Sequence, residues 1–353
     1  MGKRIVFCFD GTWQAPVSNT DVYRLYKALT VTSEQVTFYD DGVGADAQGL
    51  DRLLEGAFGQ GLLQKITDGY TKIAHVFEPG YELFLFGFSR GAYTARSLAG
   101  MIANCGLPTG SFTDDCVAQA FAAYRDPANR AAILSGLGGC GLGGATIRMI
   151  GVWDTVGSLG IPAIFGEVDY AKYGFLDTGL HPDVKNAYQC LAVDEHRAQF
   201  PATLWTSDPA AGQTIEQVWF SGCHGDVGGG TALAGGVDAG TRLCDITMGW
   251  MLAKAQALGL TFDPTAAAQY GTLPMEYALD AIRESWTALD GPVHLRPIVA
   301  NAQVANSVAV RVQYALTYLP GNLTFTDDPL LGDGYSIVNV VSDGGLPPEN
   351  STS

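Results

Sequence analysis

One serine stands where a nucleophile could be made. Gly87-Phe88-Ser89-Arg90-Gly91 closes the apolar run 82–88 and opens a helix-length run with small residues at Ala92, Ala95 and Ala99. A serine on so sharp a strand-to-helix turn lifts its hydroxyl above the sheet edge, and crowding there demands glycine on either side. The N–H of Arg90, at the start of the helix, would face a developing oxyanion. The hydroxyl needs a base. Five histidines are available: His75, His181, His196, His224 and His294. His224 follows the apolar run 216–221 in Ser221-Gly-Cys-His224-Gly-Asp-Val-Gly-Gly-Gly230, a loop able to bring an imidazole beside Ser89. The order serine, acid, histidine is the one such sheets use. His196, within Asp194-Glu195-His196-Arg197, reads instead as a solvated or lid-contacting residue.

The acid should end another strand. Asp154 directly follows the run 147–153 and could accept the Nδ1 proton of His224, fixing its tautomer. Asp226 is the rival, but two residues from the base it more readily bonds its own loop. Asp10-Gly11-Thr12-Trp13 follows the first apolar run. Gly11 or Thr12 there could give the second oxyanion N–H, with Asp10 bracing the loop. A metal or phosphoryl site built from Asp10, Asp154, His224 and Asp226 is a different reading, and it leaves the serine turn unexplained. The run 136–144 contains a GxGxxG match, yet it precedes a strand and lacks a GK[ST] ending, so it is no nucleotide fingerprint.

These residues need a scaffold. Five apolar runs, 4–9, 35–39, 82–88, 147–153 and 216–221, are rich in Val, Ile and Phe and mostly do not alternate with polar residues. That is how strands buried on both faces of a parallel sheet read. Helical periodicity fills the gaps at 20–29, 61–77 and 90–104, and again at 183–198, 245–258 and 275–288. Strand–helix alternation predicts a doubly wound α/β sheet. Residues 155–215 break the pattern and read as a cap or lid insertion. Ile164, Phe165, Tyr170, Tyr173 and Phe175 within it could line an apolar acyl pocket. Residues 296–341 carry short β-like runs at 308–312 and 335–341, and the tail after Ser342 is Gly, Pro, Asn and Ser.

Composition narrows the function class. The 353 residues carry 20 Lys+Arg against 36 Asp+Glu, a net charge of −16, with 47% hydrophobic residues. Disorder is excluded by that apolar content. So acidic a chain, lacking a basic cluster, is a poor partner for nucleic acid or an anionic membrane surface. The uncharged stretch 131–147 holds six glycines and reads as a loop, so no stable membrane insertion is expected. The seven cysteines include no CxxC pair, and the first residues carry no signal-peptide pattern. Reduced thiols and a cytoplasmic location, or export without an N-terminal signal, are expected.

Together Phe9-Asp-Gly-Thr-Trp13, Gly87-Phe-Ser-Arg-Gly-Ala-Tyr-Thr-Ala-Arg96, Gly151-Val-Trp-Asp-Thr-Val-Gly157, Leu191-Ala-Val-Asp-Glu-His-Arg197 and His224-Gly-Asp-Val-Gly-Gly-Gly230 resemble the DUF2235 group of α/β hydrolases, which includes the Tle1-like type VI secretion phospholipase effectors. The resemblance spans residues 5–230. It implies a serine ester hydrolase with Ser89 as nucleophile and His224 as base, acting on a small-molecule or lipid ester.

The expected fold is an α/β hydrolase, with helices on both faces of a mostly parallel sheet. Residues 1–154 and 216–290 would form the core, 155–215 the cap, and 291–353 a β-containing C-terminal extension. The expected chemistry is ester cleavage through an acyl-enzyme formed by Ser89, His224 and Asp154, with Arg90, Gly11 and Thr12 at the oxyanion and no cofactor. Asp10 and Asp226 would stand behind these residues as supports. The alternatives are a phospholipase of the Tle1-like kind and, behind it, a metal-dependent phosphoric ester hydrolase or a non-catalytic binding protein of the same fold.

Overall fold

The computed structural model describes residues 2–12, 14–42, 55–137, 140–156, 179–230, 242–271, 273–315, 317–325 and 334–342. Strand β1 (Arg4–Phe9) lies inside an eight-stranded sheet. Its neighbours are β2 (Gln35–Asp40) and β3 (Glu82–Phe88). Beyond β3 the sheet continues through β6 (Thr146–Trp153), β7 (Asn186–Ala192), β8 (Thr214–Phe220), β9 (Gln303–Ala305) and β10 (Ser336–Val338). Every pairing among these described strands is parallel. The short β4 (Leu107–Pro108) and β5 (Leu142–Gly143) form a separate antiparallel pair.

The apolar runs split their residues between two cores. Val6 and Cys8 of β1, Phe84, Phe86 and Phe88 of β3, and Met149 and Trp153 of β6 face one side. Ile5, Phe7, Phe9, Leu83, Leu85, Ile150 and Val152 face the other. Both sides are covered by helices, which is why the strands show no polar alternation. Helix α1 (Asp21–Ala28) brings Val22 and Leu25 to the first side, joined by α7 (Leu243–Ala257) and α9 (Asn306–Tyr314). Thr20 caps α1 by accepting the Tyr23 N–H. Helices α2 (Glu55–Ala74), α3 (Arg90–Cys105) and α4 (Asp114–Arg125) cover the second side. In α2, Leu62, Ile66, Tyr70 and Ile73 form the single stripe that the sequence periodicity predicts. Shorter helices complete the set: α5 (Arg130–Ser135), α6 (His224–Gly228) and α8 (Pro264–Gly271).

Several expectations are corrected here. The segment 183–198 is not a helix, because Asn186–Ala192 is strand β7, wedged between β6 and β8. Its Ala, Leu and Tyr satisfy a helical pattern as well as a strand, and pairing on both sides decides the matter. A core strand therefore lies inside the expected insertion 155–215. Residues 157–178, with the five proposed acyl-pocket residues, lie outside the described residues. The β-like run 308–312 is part of helix α9, whose Val308 and Val310 are wholly buried. Of the helix expected over 275–288, only a 3₁₀ turn at Met275–Leu279 forms. The stretch 131–147, expected as a loop, contains most of α5 and the start of β6. The C-terminal extension joins the main sheet, since β9 pairs with β8 and β10 with β9. Among the described residues no helix is long and apolar enough to cross a membrane.

Candidate active site

Strand register aligns the carboxyl ends of the central strands. Phe9 pairs with Gly87, Phe88 with Trp153, and Trp153 with Cys190. Asp10, Ser89 and Asp154 therefore emerge along one edge. From β1 the chain first adds β2 on one side and then β3 on the other, so the β1/β3 crevice is the switch point where open α/β sheets bind ligands.

Ser89 sits at φ 57°, ψ −124°, between β3 and α3. This sparsely populated backbone conformation persists because its surroundings enforce it. A Cβ at Gly87 would lie 2.5 Å from the Gly91 carbonyl, and one at Gly91 would lie 2.3 Å from the Asp10 carbonyl. Those approaches explain both glycines of the motif. The Ser89 N–H donates to the Trp153 carbonyl at 3.0 Å, which ties the turn to β6. Arg90, as the first residue of α3, presents its N–H at the positive end of the helix. Burial lowers its guanidinium to about 10.

His224 Nε2 lies 2.8 Å from Ser89 Oγ, and His224 Nδ1 lies 2.6 Å from Asp154 Oδ2. All three residues are buried. The imidazole is stacked on Phe88 at 4.6 Å between centroids and meets Phe200 edge-on at 5.1 Å. Asp154, at φ 38°, donates its own N–H to Cys190 and accepts the Ala192 N–H on Oδ1 at 3.0 Å. Arg296, which the sequence reading missed, donates to Oδ1 at 2.6 Å and to Oδ2 at 2.9 Å. Burial by itself raises the Asp154 carboxyl. The Arg296 charge and the His224 contact overcome this and hold the carboxyl well below the usual carboxylate range.

Carboxylates hold the loop that carries His224. Asp194 accepts the Gly222 N–H, Asp226 the Cys223 N–H, and Glu195 the His224 N–H. Asp226 also accepts the Arg283 N–H at 3.0 Å. Glu195 is fully buried, takes a two-pronged contact from Arg197 and accepts the Ser285 hydroxyl. Asp194 and Glu195 lie just beyond β7, so the missed strand is also the element that presents them.

Asp10 accepts the Gly11 N–H at 2.7 Å on Oδ1, and the Thr20 and Tyr39 hydroxyls at 2.7 Å on Oδ2. Burial pushes its carboxyl up to about 6 against these donors. Gly11 packs against Ser89, yet its N–H is turned toward Asp10, which disfavours it as an oxyanion donor. Thr12 is buried, and its hydroxyl has no partner among the described residues. Asp10, Asp154, His224 and Asp226 do not converge as a metal-binding group. Asp10 is spent on the Gly11 N–H and the Thr20 and Tyr39 hydroxyls, Asp226 on the Cys223 and Arg283 N–H groups, and both Asp154 oxygens on Arg296. His196 approaches Glu284 at 3.6 Å, and His75 packs on Phe112.

Comparison with known proteins gives the family and three similar chains. The family described as the T6SS phospholipase effector Tle1-like catalytic domain matches residues 3–137 and 138–254. An uncharacterized protein of Saccharomyces cerevisiae is 39% identical over 123 residues, which is 30% of this chain and 18% of that protein. An uncharacterized protein from Pseudomonas aeruginosa aligns at TM-score 0.47 and 18% identity, over 76% of this chain and 48% of the other. The Tle1 effector bound to the VgrG spike of the type 6 secretion system aligns at TM-score 0.39 and 19% identity, over 67% and 52%. The chain thus spans about half the length of those two solved chains.

Proposed function

The chain belongs to the Tle1-like family of T6SS phospholipase effector catalytic domains, and from that premise we propose that it cleaves carboxylic esters through an acyl-enzyme on Ser89. The observation that carries the reading is the continuous contact from Ser89 Oγ through the His224 imidazole to Asp154, at 2.8 and 2.6 Å. His224 Nε2 takes the hydroxyl proton as Oγ attacks the ester carbonyl. Asp154 accepts the Nδ1 proton contact, fixes the tautomer and stabilises the imidazolium that forms. The tetrahedral oxyanion is met by the N–H of Arg90 and by the Thr12 segment. His224 then passes its proton to the departing alcohol, leaving Ser89 acylated. Water then attacks the acyl carbonyl as His224 takes its proton, the bond from the acyl carbon to Ser89 Oγ breaks, His224 returns the proton to Oγ, and the acyl group leaves as the acid.

The family description favours a phospholipid ester as the physiological substrate. The net charge of −16 opposes attraction to an anionic bilayer, so binding to such a surface would rest on apolar contact. The test pairs wild type with Ser89→Ala on p-nitrophenyl esters of increasing chain length and on phosphatidylcholine vesicles. Turnover by wild type that Ser89→Ala lacks supports the reading. Equal turnover by both rejects the serine mechanism. Turnover on the simple esters alone removes the phospholipid from it.

A further inference from the structure

We infer that Arg296 is a positioning residue for this reaction, fixing the orientation of Asp154 and setting the pH range over which His224 serves as base. The inference rests on the Ser89–His224–Asp154 reading. It concerns a residue outside the motif-bearing part of the chain, 142 positions from its partner.

The side chain is 1% exposed, and each of its five N–H groups has an acceptor. Nη1 donates to Asp154 Oδ1 and to the Ala192 carbonyl, at 2.6 and 3.0 Å. Nη2 donates to Asp154 Oδ2 and to the Phe200 carbonyl, at 2.9 and 2.6 Å. Nε reaches the Phe200 carbonyl at 3.2 Å. Seen from Asp154, four acceptor positions are filled: Arg296 and the Ala192 N–H on Oδ1, Arg296 and His224 on Oδ2. The carboxylate is locked with Oδ2 toward the imidazole. Arg296 also holds the backbone of Phe200, whose ring bears on His224. One guanidinium therefore orients the acid and a wall of the imidazole pocket together.

The charge acts as well. An unopposed buried aspartate favours the imidazolium and so delays deprotonation of the base as pH rises. A cation on that aspartate offsets the pull and extends the active range to lower pH. The groups facing His224 are Ser89 and Phe88 from the β3–α3 turn, Asp154 after β6, and Glu195 after β7 through the His224 N–H. Phe200 adds a ring, and Cys223 and Asp226 lie on the histidine's own loop. Glu195 carries Arg197 as its own cation, and Asp226 has Arg283 at 3.8 Å. Cys190, beside Asp154, is held as a neutral thiol by burial. Arg296 is thus the cation in direct contact with the aspartate that grips the base.

The test compares Arg296→Gln and Arg296→Lys with wild type in kcat, KM and the pH profile of kcat/KM, using one activated ester. Arg296→Gln is expected to lower kcat at least tenfold with KM within about threefold, and to move the acidic limb upward by half a pH unit or more. Arg296→Lys keeps the charge without the fork, so its limb stays near wild type while kcat remains reduced. In an Asp154→Asn background, Arg296→Gln is expected to cost less than threefold further. Wild-type kcat and limb in both single variants would overturn the role, as would full additivity with Asp154→Asn. If Arg296→Gln does not fold, Arg296→Lys decides: unchanged kcat overturns the role, and reduced kcat with an unmoved limb upholds it. A Ser89→Ala enzyme that still turns over would instead defeat the serine mechanism beneath it.

Discussion

His224 Nδ1 stands 2.6 Å from Asp154 Oδ2, although all of strand β7 runs between the two strands that lead to them. Asp226, two residues from the histidine, spends Oδ2 on the Cys223 and Arg283 N–H groups instead. Asp154→Asn should therefore lower kcat by about 10³–10⁴-fold, the scale of such a change in a serine triad. Asp226→Asn should leave kcat within tenfold and cost about 1–3 kcal/mol of stability through the loosened loop. Rates on one activated ester, with denaturant unfolding of both variants, check the pair. An inactive Asp226→Asn beside a nearly normal Asp154→Asn would reverse the assignment.

The serine turn predicts its own intolerance. A methyl group at Gly91 would meet the Asp10 carbonyl at 2.3 Å and the Phe9 carbonyl at 2.4 Å. Both obstacles are backbone, so no side chain can swing aside. Gly91→Ala is expected to destabilise the protein by about 2–4 kcal/mol. Its denaturation midpoint, read against wild type, should fall accordingly. An unchanged midpoint would mean that the start of α3 and the end of β1 are not packed this closely.

Much of the scaffold could be read from composition and period. The five Val-, Ile- and Phe-rich runs are strands because each is buried on both faces, and that leaves a mark in the sequence. Strand β7 left none that was decisive. Asn186–Ala192 carries buried Gln189, Tyr188 and two alanines, and its strand character comes from neighbours distant in the chain. That Ser89, His224 and Asp154 come together was legible because each sits beside a strand end with glycine nearby. Arg296 was not. Its contacts with Asp154 depend on the irregular backbone path between α8 and β9, and no local pattern marks that path. Glu195 could have been found, since its motif was noticed. Its role was missed because the carboxylate reaches a backbone N–H and not a catalytic side chain.

Glu195 yields a prediction of its own. It is fully buried and holds the His224 N–H, the Ser285 hydroxyl and the Arg197 guanidinium. Glu195→Ala would leave those donors without an acceptor and is expected to cost about 3–5 kcal/mol. With the base loop loosened, kcat should fall about 10–100-fold. Glu195→Gln, which keeps one acceptor, should lie between. Thermal unfolding and kcat for the two variants decide this, and wild-type behaviour of Glu195→Ala would rule out the clamp.

Stability should fall as pH rises between about 4 and 7. Burial raises Asp10 to about 6 and Asp21 to about 7. The folded state thus binds protons that the unfolded chain has released above its ordinary carboxylate value. Each group then subtracts up to about 1.4 kcal/mol per pH unit across its window. Asp154 has the opposite sign, because its lowered carboxyl adds stability that is lost only as pH falls below the ordinary carboxylate range. The melting temperature of wild type should therefore be higher at pH 5 than at pH 7.5. Asp21→Asn should flatten that slope. An equally steep slope in the variant would remove Asp21 from the account.

The central claim is that Ser89 is a nucleophile activated through His224. A fluorophosphonate probe tests it without knowledge of the substrate, because labelling requires an activated serine and no particular acyl chain. Intact mass after brief exposure should show one adduct on wild type, and peptide mapping should place it on Ser89. Ser89→Ala should gain no adduct, and His224→Ala should label at least 10²-fold more slowly. An unlabelled, folded wild type, or an adduct that persists in Ser89→Ala, would contradict the account.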